Sequence, residues 1–171
     1  MNTASKTIHL LRHAAKDFSP QSDFLTPLTR KGQEQAAKLG MMLKESAIKP
    51  DLILCSPSLR TRQTRDELLK AAEFDHSFAS EENYHIYEGR YSDIFNQIQK
   101  LPQSANSVLL IGHNPQIPQL ISFLASDASV QSHFGGYVGI EPCTLTSIDI
   151  CAENWQDIQP NENMVMSVLK P

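Results

Sequence analysis

The run Thr7-Ile8-His9-Leu10-Leu11-Arg12-His13-Ala14 passes from a short apolar stretch into an arginine–histidine pair. Residues 7–11 read as a buried strand, and the groups that leave its carboxyl end are ones that do chemistry. Working outward, residues 29–46 read as a helix with Ala36, Leu39, Gly40 and Leu43 on one face and Thr29 as its N-cap. Residues 51–55 form a second apolar strand, and Pro57 suits the first turn of a helix running to about residue 72. A further strand is expected at residues 83–87. A helix is expected at 92–101, where Ile94, Ile98 and Leu101 are spaced by four and three. Residues 107–111 read as a buried strand, and Pro115 opens a helix whose stripe is Ile117, Leu120, Ile121 and Leu124. Residues 143–150 and 164–169 are expected to pair as an antiparallel hairpin across a polar connection. Strand and helix in alternation predict an α/β fold: a largely parallel sheet with helices on both faces and a C-terminal antiparallel hairpin. Ligands of such sheets sit at the carboxyl ends of the strands, near a reversal of strand order.

Composition narrows the function classes. The 171 residues are 40% hydrophobic and 20% charged, with no internal repeat or long linker, so one domain over residues 1–171 is expected. A net charge of −4 speaks against a nucleic-acid partner, which calls for a basic stripe. The longest apolar runs are too short to span a bilayer, and residues 1–6 lack a signal-peptide core, so a cytoplasmic location away from membranes is expected. Three cysteines, with no Cys-x-x-Cys spacing, suggest neither a disulfide framework nor a zinc site, and Cys55 reads as a small buried residue. The chain has no His-Glu-x-x-His pattern or acidic cluster, no nucleotide P-loop and no Gly-x-Ser-x-Gly elbow. His9 reads as packing or bonding locally.

Four strand-end loops offer polar groups at one edge of the expected sheet. They carry Arg12 and His13, then Ser56 to Thr64 with Arg60, then Glu88, then Gly112-His113-Asn114-Pro115. Taken singly, each has an ordinary reading as a turn or a solvated face. Together they fit phosphoryl transfer, which needs positive charge around the equatorial oxygens and an in-line nucleophile. Arginine supplies paired planar donors, and Arg60 would lie in a helix's first turn, where free N–H groups favour an anion. His13 suits the nucleophile because neutral imidazole has a free lone pair near pH 7, and neighbouring arginines should keep it neutral. His113 adds charge if protonated and donates one hydrogen bond if neutral.

The stretches at residues 10–16, 27–32, 55–64 and 108–115 resemble the histidine phosphatase superfamily, the phosphoglycerate-mutase-like group named for an Arg-His-Gly motif. The likeness is strongest to its short SixA-like branch, where alanine can follow the histidine, as Ala14 does. The resemblance implies a phosphoglycerate-mutase-like fold, a phosphohistidine intermediate on His13 and a phosphate pocket completed by Arg12, Arg60 and His113. It implies no metal and no cofactor, and it matches Glu88 to the family's proton donor. Ala15-Lys16-Asp17 departs from the family's usual Ser/Thr and Asn, and Lys16 is expected to substitute there as a point charge. The short segment between Thr64 and Ser107 leaves no room for the helical lid of larger members, which implies an open pocket. The implied substrate is phosphohistidine on a phosphotransfer protein, acted on by a monomer. A phosphatase of small phosphoesters and a non-catalytic phosphate-binding module remain the alternatives. His133 and Gly135-Gly136-Tyr137 read as a plain surface loop, with contact to a substrate the alternative, while Tyr84, Tyr87 and Tyr91 either line the entrance or pack at the sheet edge.

Overall fold

The structure, a computed structural model, describes residues 5–18, 22–75, 79–160 and 164–171. Residues 1–4, within the segment read for targeting, and 161–163, in the expected hairpin connection, lie outside the described residues. Six strands form one sheet: β1 (Lys6–Arg12), β2 (Leu52–Cys55), β3 (Ser80–Glu82), β4 (Ser107–Gly112), β5 (Leu145–Ile150) and β6 (Met164–Leu169), in the order β3-β2-β4-β1-β5-β6. The pairs β2–β3, β2–β4 and β1–β4 are parallel, and β1–β5 and β5–β6 are antiparallel. The expected fold class and the C-terminal hairpin are therefore present.

Helices cover both faces because the strands alternate. Ile8 and Leu10 of β1 enter one cluster with α4 (Tyr91–Ile98) and α5 (Gln116–Leu124), through Ile94, Ile98, Ile117, Leu120, Ile121 and Leu124. Leu11, Leu109 and Ile111 enter the other with α1 (Arg30–Glu45) and α2 (Leu59–Ala72), through Ala36, Leu39, Leu43 and Leu68. Each leucine or isoleucine so buried contributes roughly 1.5–3 kcal/mol relative to exposure. Thr29 caps α1 by accepting from the Gly32 amide, as its sequence position implied. Gly40 lets α1 press on α2: a Cβ there would lie 2.4 Å from the Leu68 carbonyl oxygen.

Three local expectations are corrected. Residues 83–87 are not a strand. The edge strand β3 precedes them at Ser80–Glu82, and His85–Glu88 forms a short helix, α3. The three residues of β3 are all exposed, so no apolar alternation marks them. Pro57 sits ahead of α2 rather than in its first turn, since Ser58 is the N-cap. The segment read as a surface loop around His133 begins as helix α6 (Asp127–Phe134), closed by Gly135 with φ +68. Its one buried residue, Val130, gives no stripe to detect.

Candidate active site

Strand order brings the two histidines together. β4 lies between β1 and β2, and Arg12 pairs with Gly112 in the parallel register. His13 and His113 are each one residue further on, so they emerge side by side at the carboxyl edge, with ring centroids 5.3 Å apart. Ser56, one residue beyond β2, reaches His113 from the other side at 2.7 Å.

The loop that carries His13 is held from several directions. The His13 amide donates to Gly112 O, the Ala14 amide to Thr64 Oγ1 and the Ala15 amide to Gln35 Oε1. The Cys143 amide donates to both Arg12 O and His13 O, at 3.1 Å each. Helix α1 closes against the same loop: a Cβ on Gly32 would lie 2.1 Å from Ala15 O, so only glycine fits there.

Hydrogen bonding fixes the state of both rings. His13 Nδ1 lies 2.8 Å from Ala14 O, which can only accept, so Nδ1 carries the proton and Nε2 the lone pair. Burial lowers the His13 pKa to about 4, with Arg60, Arg12 and Lys16 adding to the effect. The neutrality expected from neighbouring arginines is thus first a consequence of desolvation. His113 Nδ1 accepts from Arg60 Nη2 at 3.2 Å, so its proton lies on Nε2 and is donated to Ser56 Oγ. Burial, then Arg60 and His13, bring the His113 pKa to about 3.

Arg60 is 4% exposed on the first turn of α2. Arg12 donates from Nη1 to Ile140 O at 2.6 Å. The Nε atoms of both arginines are buried without a hydrogen-bond partner. Lys16 is bound to Asp23, and its charge reaches both histidines. The structure therefore gathers Arg12, His13, Lys16, Arg60 and His113. Glu88 is exposed at the end of α3, and among the described residues no hydrogen bond or ion pair joins it to them.

Sequence reasoning gave no role to Asp23, Ser56 or Thr64. Thr64 stands one helical turn after Arg60, and its hydroxyl donates to Arg60 O while accepting from the Ala14 amide. That spacing was the one local signal available. Of the three tyrosines, Tyr84 is exposed and Tyr91 packs on Phe123. Tyr87 stands edge-on to His113 at 5.7 Å, and its hydroxyl pKa is raised by burial and by Asp23. His9 bonds Ser147 locally, as expected. Burial pushes the Cys55 thiol up to about 12, which makes it inert. No group of three or more metal-binding side chains occurs among the described residues, and no described helix is long and apolar enough to cross a membrane.

The family model of the histidine phosphatase superfamily (branch 1) matches residues 8–79, which carry Arg12, His13 and Arg60. Over that stretch the chain is similar to the histidine phosphatase superfamily. Its fold is similar to that of the candidate phosphohistidine phosphatase SixA from Nakamurella multipartitia, at 24% identity and TM-score 0.80, covering 98% of this chain and 96% of that one. It is also similar to the protein histidine phosphatase SixA solved with tungstate, at 20% identity and TM-score 0.78, covering 96% and 97%. Phosphoglycerate mutase from Bacillus anthracis gives 17% identity and TM-score 0.68, covering 99% and 94%. The fold of the chain is thus phosphoglycerate-mutase-like, with the SixA structures the nearer of these three.

The depressed His13 pKa has a consequence for stability. An unfolded histidine titrates near ~6.5, and the folded ring at about 4. Between those values the unfolded chain binds more protons, so stability rises with pH. His13's contribution is complete above the unfolded value and is lost as pH falls through the folded one. From pH 7 to 4.5 the native protein is expected to lose about 2 kcal/mol more than His13→Ala does. Urea midpoints at the two pH values measure this, and equal losses would mean the buried ring is not held neutral.

Proposed function

We propose that this chain is a histidine phosphatase: a metal-independent enzyme that forms a phosphohistidine on His13 and acts on phosphohistidine of a phosphotransfer protein. The observation that carries the reading is the His13 ring itself. It is buried and neutral, with its proton held by Ala14 O and its lone pair on Nε2, beside His113 and two arginines whose Nε atoms have no hydrogen-bond partner. Nε2 attacks phosphorus of a substrate phosphohistidine protonated on its other ring nitrogen; the bond from phosphorus to the leaving nitrogen breaks, the substrate ring departs as neutral imidazole keeping that proton, and the Nε2–phosphorus bond forms while His13 keeps its own proton on Nδ1. Water then attacks phosphorus, the Nε2–phosphorus bond breaks, and inorganic phosphate leaves. Arg12 and Arg60 would hold the equatorial oxygens, whose charge grows most during transfer.

Two features favour phosphohistidine over an alkyl ester. Imidazole departs readily because its conjugate acid has a pKa of about 6.5, whereas an alkoxide needs a general acid. Glu88, the residue matched to that acid, is exposed and unattached to the cluster among the described residues. The setting is also open. A groove of about 600 Å³, lined by Tyr91, Phe123, Tyr137 and Val138, adjoins the site through Asn114, Pro115 and Ile140. It does not contain His13 itself, and it offers apolar surface to whatever carries the phosphoryl group. The tungstate bound to one SixA neighbour is a tetrahedral oxyanion of the kind such a pocket would hold.

The test is phosphate release, without added metal, from a phosphohistidine-bearing phosphotransfer domain and from p-nitrophenyl phosphate. Rapid release from the protein and weak ester turnover are expected, with Glu88→Gln changing the former by less than about threefold. Faster ester turnover would make the enzyme a small-molecule phosphatase, and turnover of neither would make it a binding module.

A further inference from the structure

Asp23 lies in the connection between β1 and α1, ten residues after His13 and with no role read from the sequence, yet three walls of the pocket meet on it. Its Oδ1 accepts from Lys16 Nζ at 3.0 Å, and its Oδ2 from Arg60 Nη2 at 2.9 Å and Tyr87 Oη at 3.3 Å. Its carbonyl accepts from Arg60 Nη1 at 2.5 Å. Its neighbour Phe24 accepts from the Leu59 amide through its carbonyl and stands edge-on to Tyr87, fastening the turn to α2 and α3. We propose that Asp23 is the positioning residue of the phosphate clamp, acting through Arg60 and Lys16 rather than on the substrate.

A carboxylate in an anion site invites the opposite reading, that it merely competes with phosphate. The protons of Arg60 argue for positioning. Nη2 has two: one goes to Asp23 Oδ2 and the other to His113 Nδ1, while Nε has no partner. Asp23 thus grips the guanidinium through both terminal nitrogens and still leaves donors for phosphoryl oxygens. A long arginine side chain carries about 2 kcal/mol of rotamer entropy, and a grip made before the ligand arrives removes that cost from binding. Hydrogen bonds from Lys16 and Arg60 hold the Asp23 pKa at about 2, so the grip does not change with pH across the working range. The three cations Arg12, Lys16 and Arg60 less this one carboxylate leave a charge of +2 opposite a phosphoryl dianion.

The proposal rests on the pocket being an oxyanion site, and its test is separable from turnover. Tungstate binding at pH 7 is measured by calorimetry on the full chain, for the native protein, Asp23→Ala, Arg60→Ala and the double variant. Asp23→Ala is expected to weaken binding about tenfold, and the double variant to bind no more weakly than Arg60→Ala alone. Asp23→Asn, which keeps an acceptor for Nη2, is expected to recover part of the loss, and it replaces Asp23→Ala in the cycle if that variant fails to fold. With phosphohistidine protein, the loss is expected mainly in KM rather than kcat. Tungstate binding to Asp23→Ala equal to or tighter than native would overturn the proposal, as would independent, multiplying effects. Tungstate binding with the expected coupling but no turnover of any phosphorylated substrate would leave the clamp standing and overturn the phosphatase reading instead.

Discussion

His13→Ala is expected to lose turnover of the phosphohistidine protein by at least about 10³-fold, because no other group can carry the phosphoryl to water by the same route. His113 is 5.3 Å away ring to ring, but both its nitrogens are engaged: Nδ1 accepts from Arg60 and Nε2 donates to Ser56. It has no free lone pair with which to substitute. The same variant should still bind tungstate, since Arg12 and Arg60 are untouched. Rapid quenching under alkaline conditions should reveal an acid-labile phosphoenzyme in the native protein and none in the variant. Full turnover by His13→Ala would end the covalent mechanism, whatever the substrate proves to be.

Arg60→Ala is expected to lower kcat/KM by about 10²-fold or more, the scale of removing a preorganised donor from a developing charge. Its effect should exceed a simple loss of charge. Arg60 also lowers the proton affinity of both histidines, so its removal raises the His13 pKa above its present value of about 4. The acid limb of the activity profile should therefore move upward. Arg60→Lys should recover little, since an ammonium cannot reach two acceptors of Asp23 and His113 Nδ1 in one plane. Profiles of kcat/KM between pH 4.5 and 8 measure both effects. An unmoved acid limb would remove Arg60 from the set that controls His13.

What was legible in the sequence follows from how many residues each signal spans. β1, β4, α1 and α5 each bury a run or stripe of apolar residues, and such periodicity survives reading without a structure. β3 is three exposed residues placed by pairing with β2, a tertiary fact with no local pattern. The histidines and arginines could be placed at one edge because they follow strands directly. Asp23 could not. It sits on a turn between Ser22 and Phe24, where nothing in the local sequence marks it, and its meaning comes from Arg60 and Tyr87, 37 and 64 positions away. The cause of His13's neutrality was half legible: charge is visible in a sequence, whereas the burial that dominates is not.

The place of β1 in the sheet has a consequence for how the protein is made. Its two neighbours are β4 and β5, which begin at Ser107 and Leu145. On a ribosome adding ~5–20 residues per second, the strand that precedes His13 waits on the order of ten seconds before both its edges are filled. Through that interval it is an apolar segment with open backbone groups on either side, the kind that pairs with the wrong partner. Slow closure across such long sequence separation is the burden of a high-contact-order topology. The chemistry that begins at residue 12 becomes structured only when the chain has returned to it twice.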